Sequence, residues 1–185
     1  QKYFSALNLK REIPYSENKL VVPKKIKKFR CGISWKSTNK IFGNKKSIKL
    51  NWLKDFFLSK NIEFINLQYS NEKNEIDDLE KTIGTNIFIK HSVNCFDDID
   101  GVASLIKSCD FVITVSNSNA HISGKLGVKT FLLLPFNEGK LWYWGLNTDN
   151  EIIWYPSITP IRMDRENDWK SCLTKLDNLI KNTCK

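Results

Sequence analysis

Residues 108–135 (SCDFVITVSNSNAHISGKLGVKTFLLLP) constrain the fold more than any other part of the chain. Within this stretch, residues 111–115 and residues 132–134 are short apolar runs, and each run predicts a buried strand. Between them, residues 119–126 have the length of a short helix, which ends at Gly127, a typical residue for a helix C-terminus. A strand, a helix and a second strand in this order form a βαβ unit, so the two strands should be parallel.

The polar turn between the first strand and the helix predicts an anion-binding site. Ser116, Asn117 and Ser118 occupy this turn, and His121 falls in the first turn of the helix. At the carboxyl end of the strand the turn meets the start of the helix, where unpaired N–H groups and the helix dipole attract negative charge. Ser116 and Asn117 are also common helix caps, and a histidine at a helix start often bonds only the backbone. Both a ligand role and a structural role therefore stay open for these residues.

Strands and helices alternate along the rest of the chain. Strands are predicted at residues 29–35, 62–67, 87–89, 130–134 and 152–155, and helices at residues 47–59, 97–108 and 168–181, with a short surface helix within 71–81. Ser47 is expected to cap the helix that follows it. This alternation predicts an α/β domain with a Rossmann-like, doubly wound parallel sheet over residues 29–185. Residues 1–28 precede it as a lead-in segment and linker.

Composition limits the remaining classes of protein. The 185 residues suffice for one domain, and no apolar run approaches the roughly 18 residues of a membrane span. The five cysteines form no CxxC pair and are odd in number, which favours a reducing, cytoplasmic compartment over a disulfide framework or a zinc site. The net charge of +9 favours a solvated lysine surface over a nucleic-acid partner. Because Gln1 stands in place of Met, we expect the chain to be part of a larger protein.

The sequence contains none of the common motifs for binding phosphates or for hydrolysis: GxGxxG, GxxxxGKS/T and GxSxG are all missing. The polar turn and the lysine-rich loop at residues 36–47 remain, and both should lie at the carboxyl edge of the sheet, where ligands bind. Together they offer N–H, hydroxyl, imidazole and ammonium groups, a set that suits a diphosphate without a metal ion. For Lys46 a surface location is the alternative. The aromatic residues at 142–144 and 154–155 could stack on a base or sugar, although such residues more often close a core.

Ordered blocks along almost the whole chain resemble the C-terminal half of a GT-B glycosyltransferase. The blocks are GISWK, KSIKL, INLQY, DDIDGVASLIKSCD, FVITVSNSNAHISGKLGVKTFLLLP, LWYWG and WYPS. The chain resembles in particular the bacterial glycosyltransferases linked to tetratricopeptide repeats. Those enzymes are similar to protein O-GlcNAc transferases and, more distantly, to ADP-heptose lipopolysaccharide heptosyltransferases. The resemblance implies the donor-binding domain of an inverting, metal-independent glycosyltransferase, with a nucleotide-diphosphate sugar as its substrate and no other cofactor.

The resemblance also implies a set of diphosphate ligands. The block after the central strand of this family usually reads Asp-Thr-x-x-x-His, and it holds the donor diphosphate. His121 matches the histidine, Ser116 and Asn117 stand where Asp and Thr are usual, and Ser118 belongs to the same turn. Lys46 matches the basic residue that precedes the Ser-Ile-x-Leu block.

Further positions and partners follow from the same resemblance. Gln68 matches a Gln that follows the second strand in this family, and Asp98 matches an Asp that precedes a helix. These matches imply contacts with the nucleoside or the ribose. For Asp98, helix capping is the alternative. The expected partners are the donor, an acceptor glycan or protein, and a missing N-terminal domain, with tetratricopeptide repeats as one form of it. No catalytic residue is assigned, because the missing domain often supplies the base. Because Ser116 and Asn117 replace the usual Asp and Thr, the alternative is a degenerate, non-catalytic module that binds a nucleotide, a glycan or a protein.

Overall fold

The computed structural model describes residues 27–59, 61–139, 141–145 and 152–184. Most of the lead-in segment predicted over residues 1–28 lies outside these residues. The elements in chain order are β1 (Phe29–Ser34), α1 (Gly43–Lys46), α2 (Lys54–Phe57), β2 (Ile62–Asn66), α3 (Lys73–Ile83), α4 (Ile99–Lys107), β3 (Phe111–Val115), α5 (Ser118–Lys125), β4 (Thr130–Leu134), β5 (Ile158–Arg162) and α6 (Trp169–Thr183). Two short 3₁₀ helices occupy Leu50–Leu53 and Trp142–Trp144.

The five strands form one parallel sheet in the order β2-β1-β3-β4-β5. The predicted α/β fold with a doubly wound parallel sheet is therefore confirmed. From β1 the chain winds outward to β2, then returns to β3 on the other side of β1 and winds outward again through β4 to β5. The direction of winding thus changes between β1 and β3, and the crevice outside the carboxyl ends of such a strand pair is where open α/β sheets bind ligands. In the register of this pair, Ser34 lies beside Thr114.

Helices cover both faces of the sheet. On one face, α6 packs residues such as Cys172 and Leu176 against alternate residues of the central strands, including Ile33 and Ile113. The other face receives α4 over Val112, and α5 over the neighbouring strand β4. Every residue of β3 and β4 is buried, as expected for parallel strands that are covered on both sides. Each fully buried Leu, Ile, Val or Phe in these strands stabilises the fold by about 1.5–3 kcal/mol.

The prediction of a last strand at residues 152–155 is wrong. These residues form turns, and the fifth strand is β5, which includes Pro160. A proline lacks the N–H that a central strand must donate. However, β5 pairs only with β4 and lies at the edge of the sheet, where a proline is tolerated.

Two further expectations need correction. The strand predicted at residues 87–89 makes only an isolated bridge, between Phe64 and Phe88. The helix predicted at residues 47–59 is divided into a 3₁₀ helix and the short α2, and Ser47 does not cap it. Ser47 instead follows α1, where its hydroxyl donates to the carbonyl of Gly43 at 2.7 Å. The Ser47 hydroxyl therefore bonds a carbonyl of the preceding helix α1 and does not accept from an N–H of the helix that follows.

The remaining predicted elements agree with the structure to within a few residues. The surface helix expected within residues 71–81 is α3, and the helices expected at residues 97–108 and 168–181 are α4 and α6. In the part of the chain that the structure describes, no helix combines the length and the apolar character that crossing a membrane requires.

Candidate functional site

Three loops meet at the carboxyl edge of the sheet, beside the point where the winding direction changes. They follow β1, β3 and β4, and at least one contact joins each pair of them. The contacts are Asn117 Nδ2 to the Lys36 carbonyl (3.1 Å), Trp144 Nε1 to Ser116 Oγ (2.8 Å) and Lys45 Nζ to the Glu138 carboxylate (2.9 Å). The polar turn and the lysine-rich loop are therefore neighbours, as the sequence predicts for two loops at one edge of a parallel sheet.

Asn117 ties the end of β1 to the start of α5. Its Oδ1 accepts from the N–H of Asn119 (3.0 Å) and from the hydroxyl of Thr114 (3.1 Å). Its Nδ2 donates to Ser34 Oγ (2.8 Å) and to the carbonyl of Lys36 (3.1 Å). These four bonds use the two lone pairs and both hydrogens of the amide, and the residue is only 8% exposed. The Asn117 side chain thus caps the helix and joins two strands, and it has no group left for a ligand.

Gln68 has a similar internal role. Its Oε1 accepts from Ser34 Oγ (3.2 Å) and from the N–H groups of Trp35 (3.0 Å) and Lys36 (2.9 Å). Its Nε2 donates to Ser70 Oγ (2.8 Å) and, more weakly, to the Lys36 carbonyl (3.4 Å). The amide is fully used and 6% exposed, and it holds the chain in place where it leaves β1. The nucleoside contact predicted for Gln68 stays a prediction, for which this side chain has no free group.

His121 lies in an aromatic cluster. Its ring stacks on Trp144, with ring centres 4.5 Å apart and planes 29° apart, and it also contacts the rings of Tyr143 and Tyr155. The Nδ1 atom lies 3.3 Å from the hydroxyl of Tyr155, whereas no described residue hydrogen-bonds Nε2. Burial lowers the pKa of His121 below its ordinary value of 6.5, so the imidazole is neutral at pH 7. One ring nitrogen of a neutral imidazole is thus available to a ligand.

The two serines of the polar turn differ in exposure. Ser116 is 2% exposed, and its Oγ accepts the hydrogen bond from the indole of Trp144. Ser118, the first residue of α5, is exposed, so its hydroxyl is accessible. Trp144 is itself held by Arg162, whose guanidinium donates to the carbonyls of Trp144 and Gly145. Only Ser118 of the pair can contact a ligand without rearrangement.

Lys46 is a buried ammonium-bearing side chain, only 4% exposed. Its stem packs so closely on Gly139 of the loop after β4 that a Cβ at that glycine would come within 2.8 Å of Lys46 Cγ. Burial lowers the pKa of Lys46, and no carboxylate in the described ranges pairs with it. The neighbouring Lys45 is exposed and pairs with Glu138. The lowered pKa means that burial of the side chain disfavours its charged form, and a bound anion would offset this effect.

Asp98 caps α4. Its Oδ1 accepts from the N–H of Gly101 at 2.7 Å, which confirms the capping alternative. In the described part of the chain no hydrogen bond joins Asp98 to the turn after β3, and the predicted ribose contact stays a prediction. No group of three or more His, Cys, Asp or Glu residues within the described ranges could hold a metal ion.

The structure gives two residues of the predicted aromatic segments a contact with His121 that the sequence pattern did not indicate. Trp144 is fully buried, in agreement with the core alternative for the aromatic loop, whereas Trp142 of the same loop is 65% exposed. Trp144 and Tyr155 enclose the imidazole of His121, and both come from segments far from it along the chain. The aromatic residues at 142–144 and 154–155 were the sequence signal for this cluster. Their contacts with His121 could not be predicted, because these contacts depend on how β4 and β5 are arranged.

Fold and site together define a Rossmann-like α/β domain in which polar loops meet at the topological switch point of the sheet. No protein family model matches the chain. Protein FlbA of Caulobacter vibrioides is 26% identical to it over 120 residues, which are 65% of this chain and 19% of FlbA. The chain therefore spans about a fifth of the length of that relative.

Proposed function

We propose that this chain is the donor-binding domain of an inverting, metal-independent glycosyltransferase that uses a nucleotide-diphosphate sugar. The observation that carries the proposal is Lys46, a 4% exposed lysine with no carboxylate partner in the described part of the chain. It belongs to the loop after β1, next to the polar turn that begins α5. A diphosphate would supply the missing negative charge, and the start of α5 would add the positive end of the helix dipole.

Of the five residues predicted to hold the diphosphate, three have free groups. Lys46 offers a point charge, Ser118 an exposed hydroxyl, and His121 the Nε2 atom of a neutral imidazole. Ser116 and Asn117 act indirectly, since their side chains bond within the protein and shape the turn. We therefore assign phosphate contacts to Lys46, Ser118, His121 and the helix start.

In the proposed reaction an acceptor hydroxyl attacks the anomeric carbon of the sugar. The bond from that carbon to the diphosphate oxygen breaks, the configuration inverts, and the hydroxyl proton passes to a base that we do not place in this chain. Negative charge grows on the leaving diphosphate as the bond breaks. Lys46, His121 and the N-terminus of α5 would stabilise that charge in place of a metal ion.

The alternative function is a degenerate module that binds a nucleotide, a glycan or a protein without catalysis. The observation that favours it is that Ser116 and Asn117, at the positions of the usual Asp and Thr, bond internally and are nearly inaccessible. Product analysis of the full-length protein with a panel of nucleotide sugars separates the two functions. Sugar transfer from any of these donors identifies a transferase, whereas binding without transfer identifies the module.

The test of donor binding is titration calorimetry of the chain with UDP, GDP, ADP and CDP in the presence of EDTA. We expect one of these diphosphates to bind, and Lys46→Met to weaken its binding about tenfold or more, equivalent to at least 1.4 kcal/mol. The matched control is Lys45→Met, which removes the adjacent but exposed and paired ammonium and should change affinity little. If no diphosphate binds, or if both variants bind like the wild type, the proposal is wrong.

A further inference from the structure

The hydroxyl of Tyr155 is the hydrogen-bond partner that the structure provides for His121, at 3.3 Å from Nδ1. The ring of His121 is held in a defined plane, because it stacks on the buried Trp144 and also contacts Tyr143. With the plane set, Nδ1 is directed to Tyr155, and Nε2, which has no partner among the described residues, lies on the opposite side of the ring. The two nitrogens of this imidazole therefore have different environments.

The backbone and α5 hold Tyr155 in this position. Its N–H donates to the carbonyl of Ile152 (3.1 Å), and its carbonyl accepts from Ile158 (3.0 Å). Its ring packs on Gly124, where an added Cβ would lie 2.5 Å from Tyr155 Cγ. Gly124 follows His121 by three positions and so lies on the same face of α5. The missing side chain at Gly124 creates the space through which the Tyr155 ring reaches the imidazole.

The direction of this hydrogen bond decides which nitrogen carries the proton. A neutral imidazole has one N–H donor and one acceptor nitrogen, and a phenol can donate its only proton. If the phenol donates to Nδ1, the proton of the imidazole is on Nε2, which then serves as a donor. In the opposite tautomer Nε2 would present a lone pair, which a phosphate oxygen repels. The choice of tautomer matters because burial keeps the ring neutral at pH 7.

We propose that Tyr155 is a positioning residue, whose hydroxyl donates to His121 Nδ1 and holds the imidazole in the tautomer with its proton on Nε2, directed to the donor diphosphate. The inference rests on the proposed function for the role of Nε2. The contact between the Tyr155 hydroxyl and Nδ1 is present in the structure, and the direction of its hydrogen bond is inferred from the proposed function, because only an Nε2–H can donate to a phosphate oxygen.

The test uses Tyr155→Phe, which keeps the ring and removes the hydroxyl. The tautomer of His121 is read from long-range ¹H–¹⁵N correlation spectra of the ligand-free chain near pH 7.5. We expect the wild type to show the Nε2–H tautomer and Tyr155→Phe to show a mixture with the Nδ1–H form. The affinity for the nucleoside diphosphate that binds the wild type should fall about threefold to tenfold, as for the loss of one neutral hydrogen bond.

The matched control is Tyr143→Phe, which removes the hydroxyl of another tyrosine that touches the ring of His121. It should leave both the tautomer and the affinity unchanged. A wild type in the Nδ1–H form, or equal spectra for the wild type and Tyr155→Phe, would overturn the inference. Since the spectra need no ligand, a failure of the proposed function is seen separately, as an absence of diphosphate binding with the Nε2–H tautomer intact.

Discussion

Replacing Asn117 by alanine should destabilise the domain far more than the loss of an ordinary helix cap. The variant loses the cap on the Asn119 N–H, worth about 1 kcal/mol. It also loses the bonds to Ser34 Oγ and to the Lys36 carbonyl, each worth about 1 kcal/mol, in a place closed to solvent. The fourth bond, from the Thr114 hydroxyl, adds little, because that hydroxyl keeps the Val115 carbonyl as an acceptor. The expected total is about 3 kcal/mol, which a domain with a typical free energy of unfolding of about 5–15 kcal/mol survives.

The matched control for this prediction is Asp98→Ala. Asp98 also caps a helix through one N–H, that of Gly101, but it is exposed and makes no bond between strands. Its removal should cost only about 1 kcal/mol. Both variants are measured by equilibrium unfolding in urea, followed by far-UV circular dichroism. If Asn117→Ala costs no more than Asp98→Ala, the amide does not tie β1 to β3 in the way described.

Two further predictions concern the surroundings of His121. Burial lowers the pKa of His121 below 6.5 in the folded state, so the unfolded chain takes up a proton first as pH falls. The neutral imidazole therefore contributes a part of the free energy of unfolding that is lost below about pH 6.5. Urea unfolding at pH 7.5 and 5.5 should therefore show a smaller loss for His121→Gln than for the wild type; an equal loss contradicts the burial of the imidazole. Gly124→Ala should cost about 1–3 kcal/mol and weaken diphosphate binding, since its Cβ would displace the ring of Tyr155. Gly127→Ala, at a φ of +69° with open space around it, should cost about 1–2 kcal/mol and leave binding intact; equal effects on binding would refute the role of Gly124.

Much of the fold could be predicted from short stretches of sequence. The strands at residues 111–115 and 130–134 are apolar throughout, and this is typical of strands covered on both faces. The polar turn after β3 and Gly127 mark the bounds of α5 by their local chemistry. The missed strand at residues 158–162 is an error of another kind, because it depends on position in the sheet. Pro160 is compatible with a strand only because β5 lies at an edge, a property that residues 158–162 alone do not contain.

In the candidate site, too, the sequence predicted where the polar residues lie but did not predict their contacts. The sequence determined that a polar turn and a lysine-rich loop both follow parallel strands, and hence that they lie at one edge of the sheet. Only the tertiary structure decided which side chains remain free there. Lys45 and Lys46 are chemically identical neighbours, yet one pairs with Glu138 in solvent and the other is buried with no carboxylate partner among the described residues.

The reason is that hydrogen-bond capacity and burial are set by contacts between distant segments. The bond of Asn117 to Ser34 joins residues 83 positions apart, and the contact of His121 with Tyr155 joins residues 34 positions apart. Strand and helix patterns depend on neighbours within a few residues, so the sequence by itself determined the elements and the edge at which the polar residues lie. The packing of the loops after β1, β3 and β4 decided which of those residues bond within the protein and which remain available to an anion.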